Sequence, residues 1–169
     1  SQLGSPRSAK LEDLVAVLPA AYPVLPAVRE EEAFLKTLFP RVRVVRRFSD
    51  ETLKVAGCLH VSSHFRLDPG FWLASGFKDG AREANILGFL QNTQSCAVLS
   101  LGVCDAGNSY SSRSPYWLGF AELFLAGGAR SLIVNRWRLD DLSAAVYRNF
   151  YLNCKQGLPM NEALTRAKR

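Results

Sequence analysis

The sequence predicts an α/β fold, a three-layer sandwich in which a mostly parallel sheet of five or six strands is covered by helices on both faces. Three observations carry this. Five short apolar runs recur along the chain, segments of helical periodicity separate them, and Pro, Gly and Asp clusters punctuate the joins. With 169 residues, 48% of them apolar, the chain is long enough for one domain with a full core.

The elements follow in order. Residues 14–18 (LVAVL) form an apolar run of the kind buried in parallel sheets, and Pro19, Pro23 and Pro26 exclude helix until Ala27. Residues 27–39 place Val28, Phe34, Leu35, Leu38 and Phe39 on one stripe, with Glu30, Glu31 and Glu32 expected in the first turn and Pro40 as the stop. Residues 42–45 are a second strand, 50–54 a brief helical turn capped by Ser49 or Asp50, and 55–62 a third strand. After a turn at 68–70, residues 71–77 suit a hairpin arm, Asp79 and Gly80 turn the chain, and 81–90 fit a helix. A fourth strand spans 96–101. A loop rich in Gly and Ser (107–114) leads to Pro115, a helix over 116–125 with a Gly127-Gly128 stop, and a fifth strand at 131–134. Helices over 142–154 and 159–168 complete the chain.

Composition removes several classes. No run approaches the roughly 18 apolar residues that span a bilayer, and residues 1–10 are a polar, basic leader without an apolar signal core. Residues 11–169 read as a single domain, excised from a longer chain because the last helix runs to Arg169 without a cap. The net charge of +6 is spread over the whole sequence, so nucleic acid is not indicated. Its densest cluster, Arg41, Arg43, Arg46 and Arg47, suits a solvated strand edge. Four cysteines without a CxxC pair argue against a zinc ribbon or a dithiol redox site. Two disulfides are conceivable, but Cys58 and Cys96 fall in buried strands and Cys154 at a helix end, where reduced cysteine acts as a small hydrophobe. A reducing, cytoplasmic compartment is therefore expected. A nucleotide-binding reading lacks both GxGxxG after the first strand and GxxxxGK[ST] anywhere.

Two segments carry chemistry. LHVSSH (59–64) and LSLGVCDAG (99–107) each place a reactive side chain just past an apolar strand, His64 after the third and Cys104 after the fourth. Loops at the carboxyl ends of parallel strands are where such folds bind and react, and neighbouring strands lie about 5 Å apart. An imidazole and a thiol meeting there are the minimum for a cysteine hydrolase. His60 alternates into the strand pattern and should pack in the core, whereas His64 lies beyond it. Cys58, Cys96 and Cys154 are expected to be structural, and Trp72 and Trp117 to pack in the core or at its rim.

The order and spelling of these elements resemble the CHAT domain, a branch of the caspase-like cysteine peptidases that also includes separases, metacaspases and caspases. The resemblance covers nearly the whole chain from about Leu14. It rests on His60, Ser62, Ser63 and His64, on Leu101 to Gly107, on FAELFLAGGARSLIVNRW (120–137), on the Asp140-Asp141 pair and on GLPMNEA (157–163). It implies a caspase-like fold and hydrolysis of peptide bonds in protein substrates through a thioester. Cys104 would be the nucleophile and His64 its base, with the backbone N–H groups of Cys104 and Phe65 as the oxyanion hole. Phe65 stands where the family most often has glycine, and Gly102 to Ala106 departs from the family's usual spelling around the cysteine. Asp105 and Asp141 are candidates for binding a basic substrate side chain, although Asp140 or Asp141 would also serve to cap the next helix. No metal or cofactor is implied. The expected partners are a protein or peptide substrate and a tetratricopeptide-repeat or other sensor module, in the same chain or a partner chain. The other functional class is a catalytically silent scaffold or interaction module of the same family.

Overall fold

The structure, a computed structural model, describes residues 12–19, 26–49, 53, 57–66, 68, 74–79, 82–93, 96–102, 109–110, 118–135 and 143–169. Five strands, β1 (Asp13–Val17), β2 (Arg41–Val45), β3 (Cys58–Ser62), β7 (Val98–Gly102) and β10 (Ser131–Val134), form one sheet in the order β10-β7-β3-β1-β2. Every pairing in it is parallel. The α/β expectation holds, including the adjacency of the third and fourth apolar runs.

Alternation along the strands builds the two outer layers. Val15, Val17, Leu59, Val61, Leu99 and Leu101 face one side, where they meet Phe48, Phe77, Ile86, Phe89 and Phe124. Leu14, Ala16, Cys58 and Val98 face the other, against Leu35, Leu38, Phe39, Phe150, Tyr151 and Ala163. The first face is covered by α2 (Ile86–Asn92) and α3 (Phe120–Ala126) and the second by α1 (Pro26–Leu38), α4 (Ser143–Lys155) and α5 (Met160–Ala167). Each fully buried Leu or Phe contributes about 1.5–3 kcal/mol relative to exposure, and both faces are lined with them.

Several local expectations need correction. Helix α1 starts at Pro26, because proline's fixed φ suits the first helical position. Its three glutamates consequently lie beyond the first turn, which holds no acid. Gly57 is an exposed bend, so β3 begins at Cys58 rather than at residue 55. The segment 81–90 is not one helix. Arg82–Asn85 is strand β6, paired antiparallel with β5 (Gly76–Asp79), which also pairs with β4 (Phe65–Arg66). Helix begins only at Ile86, where the Asn85 side chain accepts a hydrogen bond from Leu87 N–H. Likewise Leu118–Gly119 is a strand, β9, paired with β8 (Ser109–Tyr110), and α3 starts at Phe120. The Gly127-Gly128 stop holds: Gly128 takes φ 109° and Ala129 N–H reaches back to the Phe124 carbonyl.

Of the turn expected at 50–54, only Leu53 is described, in a tight helical turn. Trp72 and Trp117 lie outside the described residues. Arg41, Arg43, Arg46 and Arg47 are exposed on the edge strand β2 and just after it, as expected, where charge discourages pairing with another sheet. Cys58, Cys96 and Cys154 are free thiols, the first two buried. No helix among the described residues is long and apolar enough to cross a membrane.

Candidate active site

Strand β3 lies between β1 and β7, and its register with β7 runs from Cys58↔Val98 to Ser62↔Gly102. His64 follows Ser62 by two residues, and Cys104 follows Gly102 by two. Strands β3 and β7 therefore end side by side at the same edge of the sheet. Gly102 is suited to this crowded edge: a Cβ there would lie 3.0 Å from Ser62 Oγ and 3.0 Å from the Val61 carbonyl oxygen. Cys104, Asp105, Asp140 and Asp141 lie outside the described residues.

His64 is half-buried at the corner where the main sheet gives way to the three-stranded β4-β5-β6 sheet. Its carbonyl accepts from Lys78 N–H at 2.9 Å. The preceding Ser63 hydroxyl donates to the Lys78 carbonyl at 2.9 Å and lies 3.2 Å from the His64 carbonyl. Phe65 opens β4 in extended backbone, and its ring packs on Phe77 at a centroid separation of 5.1 Å. Because Lys78 N–H bonds His64 O, Phe65 and Phe77 form a non-hydrogen-bonded pair of the antiparallel ladder. The Phe65 N–H thus faces away from β5.

Beneath this edge, on the α1 and α4 side, lies a polar layer that sequence reasoning did not find. His60 is fully buried, as expected of a core residue, but it is bonded at both ring nitrogens. Its Nε2 is 2.9 Å from Glu31 Oε1 and its Nδ1 is 3.0 Å from the Tyr151 hydroxyl. Ser62 Oγ lies 3.3 Å from the same Nε2. Burial works to raise the Glu31 pKa, but attraction to His60, the hydrogen bond from it and the Ser62 hydroxyl together hold it below the ordinary value. Glu31 is therefore a buried carboxylate, and His60 carries a proton on Nε2 to meet it. Tyr151, pushed well up by burial, keeps its phenolic proton. Ser100, opposite His60 in register, has its hydroxyl near that of Tyr151 without hydrogen-bond geometry.

A parallel arrangement holds the end of β7. The Tyr147 hydroxyl donates to the Leu101 carbonyl at 2.8 Å, and Asn135 Nδ2 donates to the same carbonyl at 3.1 Å and to the Tyr147 hydroxyl. Glu31 could have been noticed in the sequence, because it falls at helical spacing from Val28 and Leu35 on the apolar stripe of α1. Tyr147 and Tyr151, one turn apart on α4, carry a similar signal.

The other cysteines are poor nucleophiles. Burial pushes the Cys96 and Cys154 thiols up to about 11 and raises Cys58 further.

The model of the CHAT domain matches residues 3–169 of this sequence, nearly its whole length. The chain belongs to the CHAT domain family. A comparison with curated proteins finds no match. The CHAT domain is part of the caspase-like cysteine peptidase clan, and its parallel α/β sandwich is the architecture described above. In this CHAT domain the segments LHVSSH and LSLGVCDAG begin on adjacent strands, β3 and β7.

Proposed function

We propose that this CHAT domain is a cysteine endopeptidase in which Cys104 attacks the substrate carbonyl and His64 accepts its proton. The observation that carries the reading is the Ser62↔Gly102 register, from which both residues follow by the same two-residue step. Attack forms a tetrahedral oxyanion. Its collapse expels the amine, which takes the proton back from His64, and water then hydrolyses the thioester. The oxyanion would be met by the N–H groups of Cys104 and Phe65. The extended backbone at Phe65 and an N–H facing away from β5 support that role, since such backbone needs no glycine. Asp105 and Asp141 would receive a basic substrate side chain, and a sensor module, of tetratricopeptide repeats for example, would switch activity within a reducing cytoplasm.

Labelling with an electrophilic peptide probe tests the reaction in the full-length protein with its activating partner. Attachment at Cys104 should be lost in Cys104→Ala and fall by at least about a hundredfold in His64→Ala, the scale of general-base assistance. Inertness of the activated wild type would instead favour the silent scaffold. Cleavage of a peptide library should show Arg or Lys before the scissile bond, and an acidic preference there would remove Asp105 and Asp141 from the pocket.

A further inference from the structure

The polar layer of Glu31, His60 and Ser62 has an expensive composition for the interior of a sheet. An ionised carboxylate only 10% exposed beside a fully buried imidazole incurs desolvation, and apolar side chains of similar volume would fill the layer without that cost. It is not a second catalytic triad. Glu31 and Ser62 both approach the same ring nitrogen, Nε2, whereas a triad needs acid and nucleophile on opposite nitrogens.

The placement of the layer suggests what it does. The β1 ladder supports β3 only as far as Val17↔Val61. Beyond Val61 the end of β3 is held by β7 on one side, through Ser62↔Gly102. Its further support is the Ser62 hydroxyl, in contact with His60 and with Glu31 of α1. At the next two residues the chain is held again, by the Ser63 hydroxyl on the Lys78 carbonyl and by Lys78 N–H on the His64 carbonyl. The His64 backbone thus follows directly on the end of β3 and is itself anchored to β5 through its carbonyl.

We infer that Glu31 and His60 are positioning residues, which fix the end of β3 through Ser62 and thereby set where the His64 imidazole stands. The inference rests on the reading of His64 as the base. Helix α1 then acts on the site through a charge buried 29 residues upstream of its partner, and placement of the base depends on the seating of α1 against β3.

The chain has only two histidines, so histidine-selective isotope labelling gives two ring signals, assigned by substituting each residue. In Glu31→Gln the His64 signal should shift or broaden and its titration midpoint should move, at temperatures well below melting. Glu31→Asp should restore part of the wild-type behaviour. In the activated full-length enzyme, kcat should fall about ten- to a hundredfold, as for a displaced catalytic group, with KM within about twofold. A His64 signal and titration unchanged in Glu31→Gln, with only the melting temperature lowered, would overturn the inference. Should Glu31→Gln not fold, Ser62→Ala decides by the same signal, since it cuts the link while leaving the Glu31–His60 hydrogen bond. Absence of probe labelling at Cys104 in every variant, wild type included, would remove the peptidase reading and leave the ring signals to judge positioning.

Discussion

Glu31 is the residue whose environment differs most from what its type suggests. A glutamate on a helix is ordinarily solvated, yet this one is turned into the sheet and held as a carboxylate by His60 and Ser62. Its folded-state pKa lies below the ordinary value of 4.5, so the charged form is bound more tightly in the folded chain than in the unfolded one. The stabilisation is therefore complete above pH 4.5 and is lost as pH falls through the lower, folded value. Glu31→Gln should cost about 1–3 kcal/mol near neutrality, the scale of losing a buried hydrogen-bonding partner. Urea midpoints measured against pH should show the gap from wild type closing in acid. A gap constant down to the acid limit would mean that the charge contributes nothing. The neighbouring Glu32 behaves more conventionally, lowered by hydrogen bonds from Lys36 and Arg46 at the surface, where such pairs are worth little.

At the scale of elements, the corrections to the sequence reading share one cause. Residues 81–90 and 116–125 contain apolar residues at spacings compatible with a helix, but Arg82–Asn85 and Leu118–Gly119 pair with other strands instead. Periodicity measures only what a segment prefers alone, whereas strand pairing is decided by whether a partner lies across a turn. At Asn85 the competition is settled by capping: its side chain satisfies Leu87 N–H at 2.7 Å and allows helix only from Ile86. Asn85→Ala should accordingly destabilise the protein by about 1 kcal/mol, read as a lowered melting temperature, while Asn85→Asp should be close to neutral. Equal losses in the two variants would indicate that the cap bond is not what matters there.

The whole molecule is organised by a sheet whose two faces are buried in separate apolar clusters, divided cleanly by the odd and even positions of its strands. Cys96 belongs to one cluster and Cys58 to the other, so their reactivity reports opening of each layer. Near neutral pH, alkylation of Cys58 and Cys96 should be at least about a thousandfold slower than in the unfolded chain, the scale of a typical folding equilibrium. Mass spectrometry of fragments after brief alkylation checks this. Rapid native-state modification of either thiol would show that its layer opens locally. The arginine-bearing edge strand β2 and the parallel core were legible for a simple reason: exposed alternation and continuous apolar runs are properties of the segments themselves.

The sequence by itself determined the fold class, the set of apolar strands, the placement of His60 inside and His64 beyond the strand, and the two segments in which reactive side chains follow strands. These are local properties, written in hydrophobic period and in the positions of proline and glycine. The register between β3 and β7 was decided only in the tertiary structure, as was the extended backbone of Phe65 within a second sheet. So was the burial of Glu31 against His60 across 29 residues. A hydrogen bond between residues distant in sequence leaves no periodic trace, because its partners are chosen by the packing of whole elements and not by their neighbours in the chain.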